Sequence, residues 1–362
     1  MKKIRVNLGV RSYSILIGRN LLNSVGWLIK PFCPGSKVLI VTNRRVGKFF
    51  LTPVQNSLRR AGFQAAPPFF LPQGNERDKS EKVLSRLWQH MAKSGLERSS
   101  TVLALGGGVV GDLAGFAAST YMRGISVVQV PTTLLAQVDA SIGGKTGIDL
   151  TSAKNIVGSF HQPRMVFIDI TALKKLSRWE FINGFAEVIK YGVIQDRTLF
   201  QMLERSNKWC EPSFLETVVF RSARVKAQVV SQDEKETRGK RMILNYGHTF
   251  AHAFEAASNY RLPHGEAVAL GMVSAARLAV RRGIFRPGDE RRQNQLIRMA
   301  GLPTRLKRGL PLSRIFHHMA LDKKKKSGRL RFILPTSIGH VRIVEGVPLA
   351  EVRKVLHELA EA

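Results

Sequence analysis

The stretch TVLALGGGVVGDLAGFAAS, residues 101–119, reads as a β-strand, a run of three glycines and then a helix. Glycine lets a backbone approach a phosphate closely, and the first turn of the following helix offers N–H groups with no intrahelical partner. The spacing is not G-x-G-x-x-G, so the common dinucleotide fingerprint is not met. A tight turn with no ligand would also place glycines here. A strand running straight into a helix is nevertheless half of a βαβ unit, and that sets the fold class.

The same texture extends on both sides. KVLIVT (37–42), SVVQVP (126–131) and MVFIDI (165–170) are short β-rich runs, and helical stretches such as SEKVLSRLWQHMAKSG (80–95) fall between the strands up to residue 131. Such alternation implies a parallel sheet. The opening KIRVNLGVRSYSILIG alternates apolar and polar residues, as an early hairpin or strand pair does. After about residue 172 helical periodicity takes over through 180–300. RLRFILP and HVRIV then form a hairpin across TSIG, and PLAEVRKVLHELAEA reads as an amphipathic helix. A chain of 362 residues is too long for one ordinary core. The expected fold is α/β plus α: a Rossmann-like α/β nucleotide-binding domain over 1–172 and a mainly helical domain over 173–362.

Composition narrows the function classes. MKKIRVNLGV has no apolar core or cleavage site and reads as a first strand, not a signal peptide. The most apolar helical run, AVALGMVSAARLAV (267–280), is short and carries Arg277, so no membrane span is expected. Cys33 and Cys210 are the only cysteines, which argues against a disulfide framework and fits a reducing cytoplasm. The net charge of +31 raises the question of polyanion binding. The basic residues are spread along the whole chain, however, with no basic tail or aromatic-interleaved signature, so no specific nucleic-acid partner is expected. A phosphorylated, carboxylated small substrate would account for some of these cations.

VPTTLLAQVDASIGGKTGID follows the third strand. Thr132 and Thr133 stand where hydroxyls can meet a cofactor, and Asp139, Lys145 and Lys154 lie in a region of little expected regular structure. SIGGKTG lacks the first glycine of G-x-x-x-x-G-K-[ST], which excludes a P-loop ATPase. Metal-ligand types gather further on: Glu187 in GFAEVIKYG, His248 and His252 in NYGHTFAHAFEA with Glu255 close by, and His264 with Glu266 in LPHGEAVALG. A catalytic divalent ion takes three such ligands and keeps a position open. By spacing, both a paired-histidine site and a mixed site are open.

GGGVVGDLAGFAASTYMRG, VQVPTTLLAQVDASIGGKTGID, AKNIVGSFHQP, AEVIKYG, LNYGHTFAHAFEA and HGEAVALGM stand in an order and spacing that resembles the 3-dehydroquinate synthase family, the sugar-phosphate cyclases of the shikimate pathway and aromatic amino acid biosynthesis. The resemblance runs from about residue 37 to 345. It implies a cytoplasmic homodimer with NAD and Zn2+ (or Co2+). It puts metal ligands at Glu187, His248 and His264, and turns His252 toward the substrate phosphate instead. NAD contacts fall on Glu76 and Lys79 of GNERDKS, on Gly106, Gly107, Gly108, Val109, Val110, Gly111 and Asp112, on Thr132, Thr133, Asp139, Lys145 and Lys154, and on Ala172, Leu173, Lys174 and Lys175. The phosphate site maps to Lys145, Asn155, Asn245, His252 and Lys323 or Lys324. Arg123 reaches a neighbouring subunit's phosphate. Lys190, Lys226 and Arg241 meet the substrate's hydroxyls and carboxylate. Asp139, Lys145, Lys190, Lys226, Arg241, Asn245 and His252 form the catalytic set. Two departures from the family pattern are an extra residue before Glu76 and another before Arg241.

The implied reaction turns 3-deoxy-D-arabino-heptulosonate 7-phosphate into 3-dehydroquinate and phosphate by oxidation at C5, β-elimination, reduction by the same cofactor and aldol closure. Sister cyclases acting on uncarboxylated sugar phosphates are the nearest rivals, and Lys226 and Arg241 speak against them. Related metal-dependent dehydrogenases carry a lysine three residues after the loop aspartate, where this chain has Gly115.

Overall fold

Most of the strands are aliphatic runs too short for helices. In chain order these are β1 (Lys2–Val6), β2 (Tyr13–Gly18), β3 (Lys37–Asn43), β4 (Gln64–Ala65), β5 (Phe69–Leu71), β6 (Thr101–Gly106), β7 (Ser126–Pro131), β8 (Lys145–Leu150), β9 (Ala153–Phe160) and β10 (Met165–Asp169). Between them lie α1 (Val25–Ile29), α2 (Arg44–Arg60), α3 (Glu81–Lys93) and α4 (Gly108–Thr120). Then come α5 (Arg178–Ile194), α6 (Arg197–Arg205), α7 (Pro212–Gln232), α8 (His248–Ala257), α9 (His264–Arg281), α10 (Pro287–Met299) and α11 (Leu312–Lys325). A hairpin of β11 (Arg331–Ser337) and β12 (His340–Glu345) precedes α12 (Leu349–Glu361). The computed structural model describes residues 1–150, 153–206, 208–306, 310–325 and 330–361, without the side chains of 153, 321–325 and 361.

The main sheet runs β1-β2-β10-β7-β6-β3-β4, with β5 beside β3. Its pairs are parallel except β1 with β2, where Lys2 faces Ile17 and Val6 faces Tyr13. Both faces are covered, which is why the strands read as continuous apolar runs. Val102 and Ala104 of β6 pack with Leu84, Leu87 and Leu113 on one face. Leu103 and Leu105 pack with Val54 and Leu58 on the other. Asn43 accepts the Val46 N–H at 2.9 Å and caps α2.

The chain divides into two compact units, 1–177 with 211–235, and 178–210 with 236–362. This differs from a single boundary after residue 172, because α7 packs on β1 and β2 and returns to the first unit. The segment around Lys145 and Lys154 also differs from expectation. It forms the antiparallel β8–β9 hairpin, in which Gly147 pairs with Gly158. A Cβ on Gly158 would lie 2.1 Å from the Thr146 carbonyl oxygen, so glycine is what lets these strands approach. Its glycines and polar residues hide the strand pattern.

The second unit is built around α9, which contacts α5, α8, α10, α12 and β11. That explains its near-continuous apolar character. Among the described residues no helix is long and apolar enough to cross a membrane. Two glycines set the helix spacing. A Cβ on Gly271 of α9 would lie 2.1 Å from the carbonyl oxygen of Gly247, the left-handed residue (φ 79°) that precedes α8. A Cβ on Gly265 would lie 2.2 Å from the carbonyl oxygen of Asn183 on α5. Gly271→Ala should therefore cost about 3 kcal/mol, as overpacking against fixed backbone does. Gly288→Ala, an exposed position with no atom nearer than 3.9 Å, should stay within ~0.5 kcal/mol of the parent. Denaturant unfolding of the two variants checks this.

Candidate active site

Three ligand types from separate helices meet in the second unit. Glu187 lies on α5 with its side chain fully buried. His248 and His264 are the first residues of α8 and α9. Their Nε2 atoms lie 3.7 and 3.4 Å from Glu187 Oε1. Ligand atoms of the three fall within 4.8 Å of one another, and among the described residues they form the one such group of His, Cys, Asp and Glu. His252 is not in it: its ring is exposed and stands edge-on to His248, with centroids 5.5 Å apart. Glu266 is likewise outside the group. Two imidazoles and one carboxylate are a donor set that suits a divalent transition ion.

The surroundings tune these groups. Lys190, one turn along α5, pairs with Glu187 Oε2 and leaves Oε1 toward the histidines. Burial, helped by the Lys190 ammonium, pushes the His248 pKa down to about 3, so its ring is neutral and fit to be a ligand. Its Nδ1 lies 3.1 Å from the Tyr246 carbonyl oxygen. Burial also opposes charge on His264, but hydrogen bonds and charges from Glu187 and Glu255 outweigh it and raise the pKa to about 10. The two carboxylates thus draw positive charge to this spot. The sequence places Glu255 near the histidine pair but assigns it no role. Its only sequence signal is its place two helical turns after His248.

In the first unit, β6 ends at Gly106, Gly107 is the N-cap of α4, and Gly108, Val109, Val110, Gly111 and Asp112 form the opening turns. A Cβ on Gly107 would come within 3.0 Å of Thr133, and one on Gly108 within 3.2 Å of Ala140, so the loop is shaped by missing side chains. The Thr132 N–H donates to the Gly106 carbonyl at 2.9 Å, while the buried Thr132 Oγ1 has no hydrogen-bond partner among the described residues. A free helix start, a glycine cradle and an orphan hydroxyl fit a pyrophosphate-bearing cofactor.

Lys79 is not a surface lysine. Its side chain is 3% exposed, and Nζ lies 2.9 Å from Asp112 Oδ2 and 3.5 Å from Glu76 Oε1, with Asn155 Oδ1 also in contact. Asp149, which sequence reasoning did not single out, accepts the Asn155 N–H at 2.7 Å and holds that residue's left-handed turn (φ 53°). The cluster ties the β8–β9 hairpin to the glycine loop. Asp139 lies in a π-helical turn, Ala136–Ala140, and accepts from Lys226 Nζ at 2.6 Å.

The other expected residues are less closely knit. Ala172 and Leu173 are buried, Lys174 is exposed, and Lys175 lies over the Phe49 ring. Arg241 is 2% exposed, with Nε 3.5 Å from Glu236 Oε1. Asn245 is exposed and does not cap α8; Gly247 takes that position. Lys145 and Arg123 are exposed, and Lys154 is half-buried. The Lys323 and Lys324 side chains lie outside the described residues.

Burial lifts the Asp112 pKa to about 6 against the pull of Lys79. The fold therefore holds a proton at pH values where the unfolded chain has released it. That stabilisation is complete below the unfolded pKa, roughly 3.9, and is lost as pH rises through about 6. Relative to Asp112→Asn, the parent should lose stability between pH 4 and pH 7, read from urea midpoints across that range.

Residues 69–183 match the family model for the 3-dehydroquinate synthase N-terminal region, and 184–325 match the C-terminal one. A 3-dehydroquinate synthase from Nostoc sp. is 48% identical over 98% of this chain and 99% of its own length. The structure of 2-epi-5-epi-valiolone synthase from Streptomyces hygroscopicus subsp. jinggangensis, with NAD+ and Zn2+ bound, is similar at a TM-score of 0.88 and 28% identity, covering 96% of this chain and 97% of that one. That of 2-deoxy-scyllo-inosose synthase with carbaglucose-6-phosphate, NAD+ and Co2+ is similar at 0.88 and 26%, covering 99% and 100%. With both regions matched and a relative this similar over nearly its whole length, the chain belongs to the 3-dehydroquinate synthase family.

Proposed function

We propose that the chain converts 3-deoxy-D-arabino-heptulosonate 7-phosphate into 3-dehydroquinate and phosphate. The observation that carries this reading is the meeting of Glu187, His248 and His264 in a chain 48% identical, over nearly all its length, to a 3-dehydroquinate synthase. NAD at the loop Gly106–Asp112 would supply reversible hydride transfer, and Zn2+ or Co2+ at the three ligands would polarise substrate oxygens. The first domain is then the cofactor domain and the second holds metal and substrate.

The chain's own residues bind and orient. Arg241 offers a planar fork that matches a carboxylate with two parallel hydrogen bonds. Lys190 and Lys226, each held by a carboxylate, meet the substrate hydroxyls. Lys145, Asn155, Asn245 and His252, with Lys323 or Lys324, hold the phosphate. Glu76, Lys79, Thr132, Thr133, Asp139, Lys154 and the turn 172–175 complete the cofactor site. Holding a dianion and a carboxylate at fixed points supplies much of the rate through orientation. The protein acts in the cytoplasm as a homodimer, with Arg123 serving the neighbour's phosphate.

Purified protein supplied with this substrate, NAD and Zn2+ should release phosphate and form dehydroquinate, identified by mass. Omitting NAD or adding a chelator should stop it. Turnover of sedoheptulose 7-phosphate in its place would move the chain to the sister cyclases. Losing several kcal/mol of charge stabilisation, Glu187→Gln should fall ~1,000-fold in turnover. Mixed with Arg123→Ala protein, it should regain activity through hybrid dimers; no recovery would remove the proposed role of Arg123 across the interface.

A further inference from the structure

The end of α8 and the start of α9 are joined by a short turn, in which Asn259 (φ 53°) and Tyr260 (φ 56°) are both left-handed. The Glu255 carbonyl oxygen accepts from the Tyr260 N–H and the Ser258 hydroxyl, each at 2.7 Å, which fixes the backbone at the end of α8. Glu255 lies seven positions after His248, so both lie on one face of α8, two turns apart. The Glu255 side chain is 10% exposed, and its Oε1 lies 3.4 Å from Nδ1 of His264. Nε2 of the same ring faces Glu187 at 3.4 Å. His264 is thus held through both nitrogens by two carboxylates with different tasks.

An imidazole gives one nitrogen to a metal, and the hydrogen bond at the other sets its tautomer and ring angle. We propose that Glu255 is a positioning residue for the metal centre: it accepts Nδ1–H of His264, presents Nε2 as the ligand atom and strengthens that ring as a donor without touching the ion. This rests on the metal reading above. The two histidines are not equivalent. Nδ1 of His248 faces a backbone carbonyl, which no substitution removes, whereas His264 depends on a side chain. Glu255 also adds a second negative charge, on the other side of the His264 ring from Glu187, which suits a dipositive ion.

The test is metal affinity. Zn2+ and Co2+ binding to metal-free protein would be measured by competition with a chromophoric chelator, with the Co2+ absorption spectrum as a second readout. Glu255→Ala should weaken binding ~10- to 100-fold and shift the Co2+ bands. Glu255→Gln, which keeps an oxygen acceptor without the charge and is close to isosteric, should fall between Ala and parent. Melting curves of each protein separate loss of fold from loss of affinity. A Glu255→Ala protein that melts lower but binds Zn2+ within twofold of the parent, with an unchanged Co2+ spectrum, would reduce Glu255 to a packing residue and overturn the proposal. His264→Ala distinguishes the two levels. If it loses the metal while Glu255→Ala does not, this inference alone fails. If the parent binds no metal, or His264→Ala binds as well as the parent, the metal reading fails with it.

Discussion

The second unit depends on two places where backbone meets backbone. Gly271 lets α9 press on the turn that starts α8, and Gly265 lets the start of α9 press on α5. Each contact sits beside a ligand: Gly247 precedes His248, and Gly265 follows His264. Asn183 receives Gly265 through its carbonyl side and also accepts the Gly265 N–H at 2.9 Å through Oδ1. Asn183 and Glu187 are four residues apart, on one face of α5. The same face therefore docks α9 and meets its histidine. Side chains alone, on helices a methyl group further apart, would not reach the same point.

Charge follows from that packing. Glu187 is fully buried and so needs a compensating positive group; Lys190 supplies one from the same helix. The first unit solves the reverse problem in the same way. Lys79 is a buried cation, and Asp112, Glu76 and Asp149 surround it. In the second unit the buried charge is met within one helix, whereas in the first it also ties together segments far apart in sequence.

The βαβ alternation, the opening strand pair, the late hairpin and the glycine loop were legible because each is a local pattern: apolar runs, a two-residue period, glycines at a strand end. The gathering of Glu187, His248 and His264 became readable through six linked motifs, since spacing alone left a paired-histidine site open. Three things escaped. The β8–β9 hairpin owes its strands to glycine-to-glycine proximity, which erases the alternation a strand normally shows. The return of α7 to the sheet is a tertiary choice that its own amphipathic pattern does not encode. The burial of Lys79 and Glu255 could not be read either, because it is decided by partners distant in the chain, Asp112 and His264.

The three ligands come from three helices, so an ion they hold would be a clasp as well as a reagent. Ordering α5, α8 and α9 against one another costs conformational entropy whether or not an ion is there. Helices already packed at their glycines bear most of that cost before binding, and a loosened packing would shift it onto the ion. Affinity at the centre is then linked to the integrity of helix contacts that include no ligand side chain. A methyl group added at Gly271, which no ligand touches, would be felt as a weaker grip on zinc.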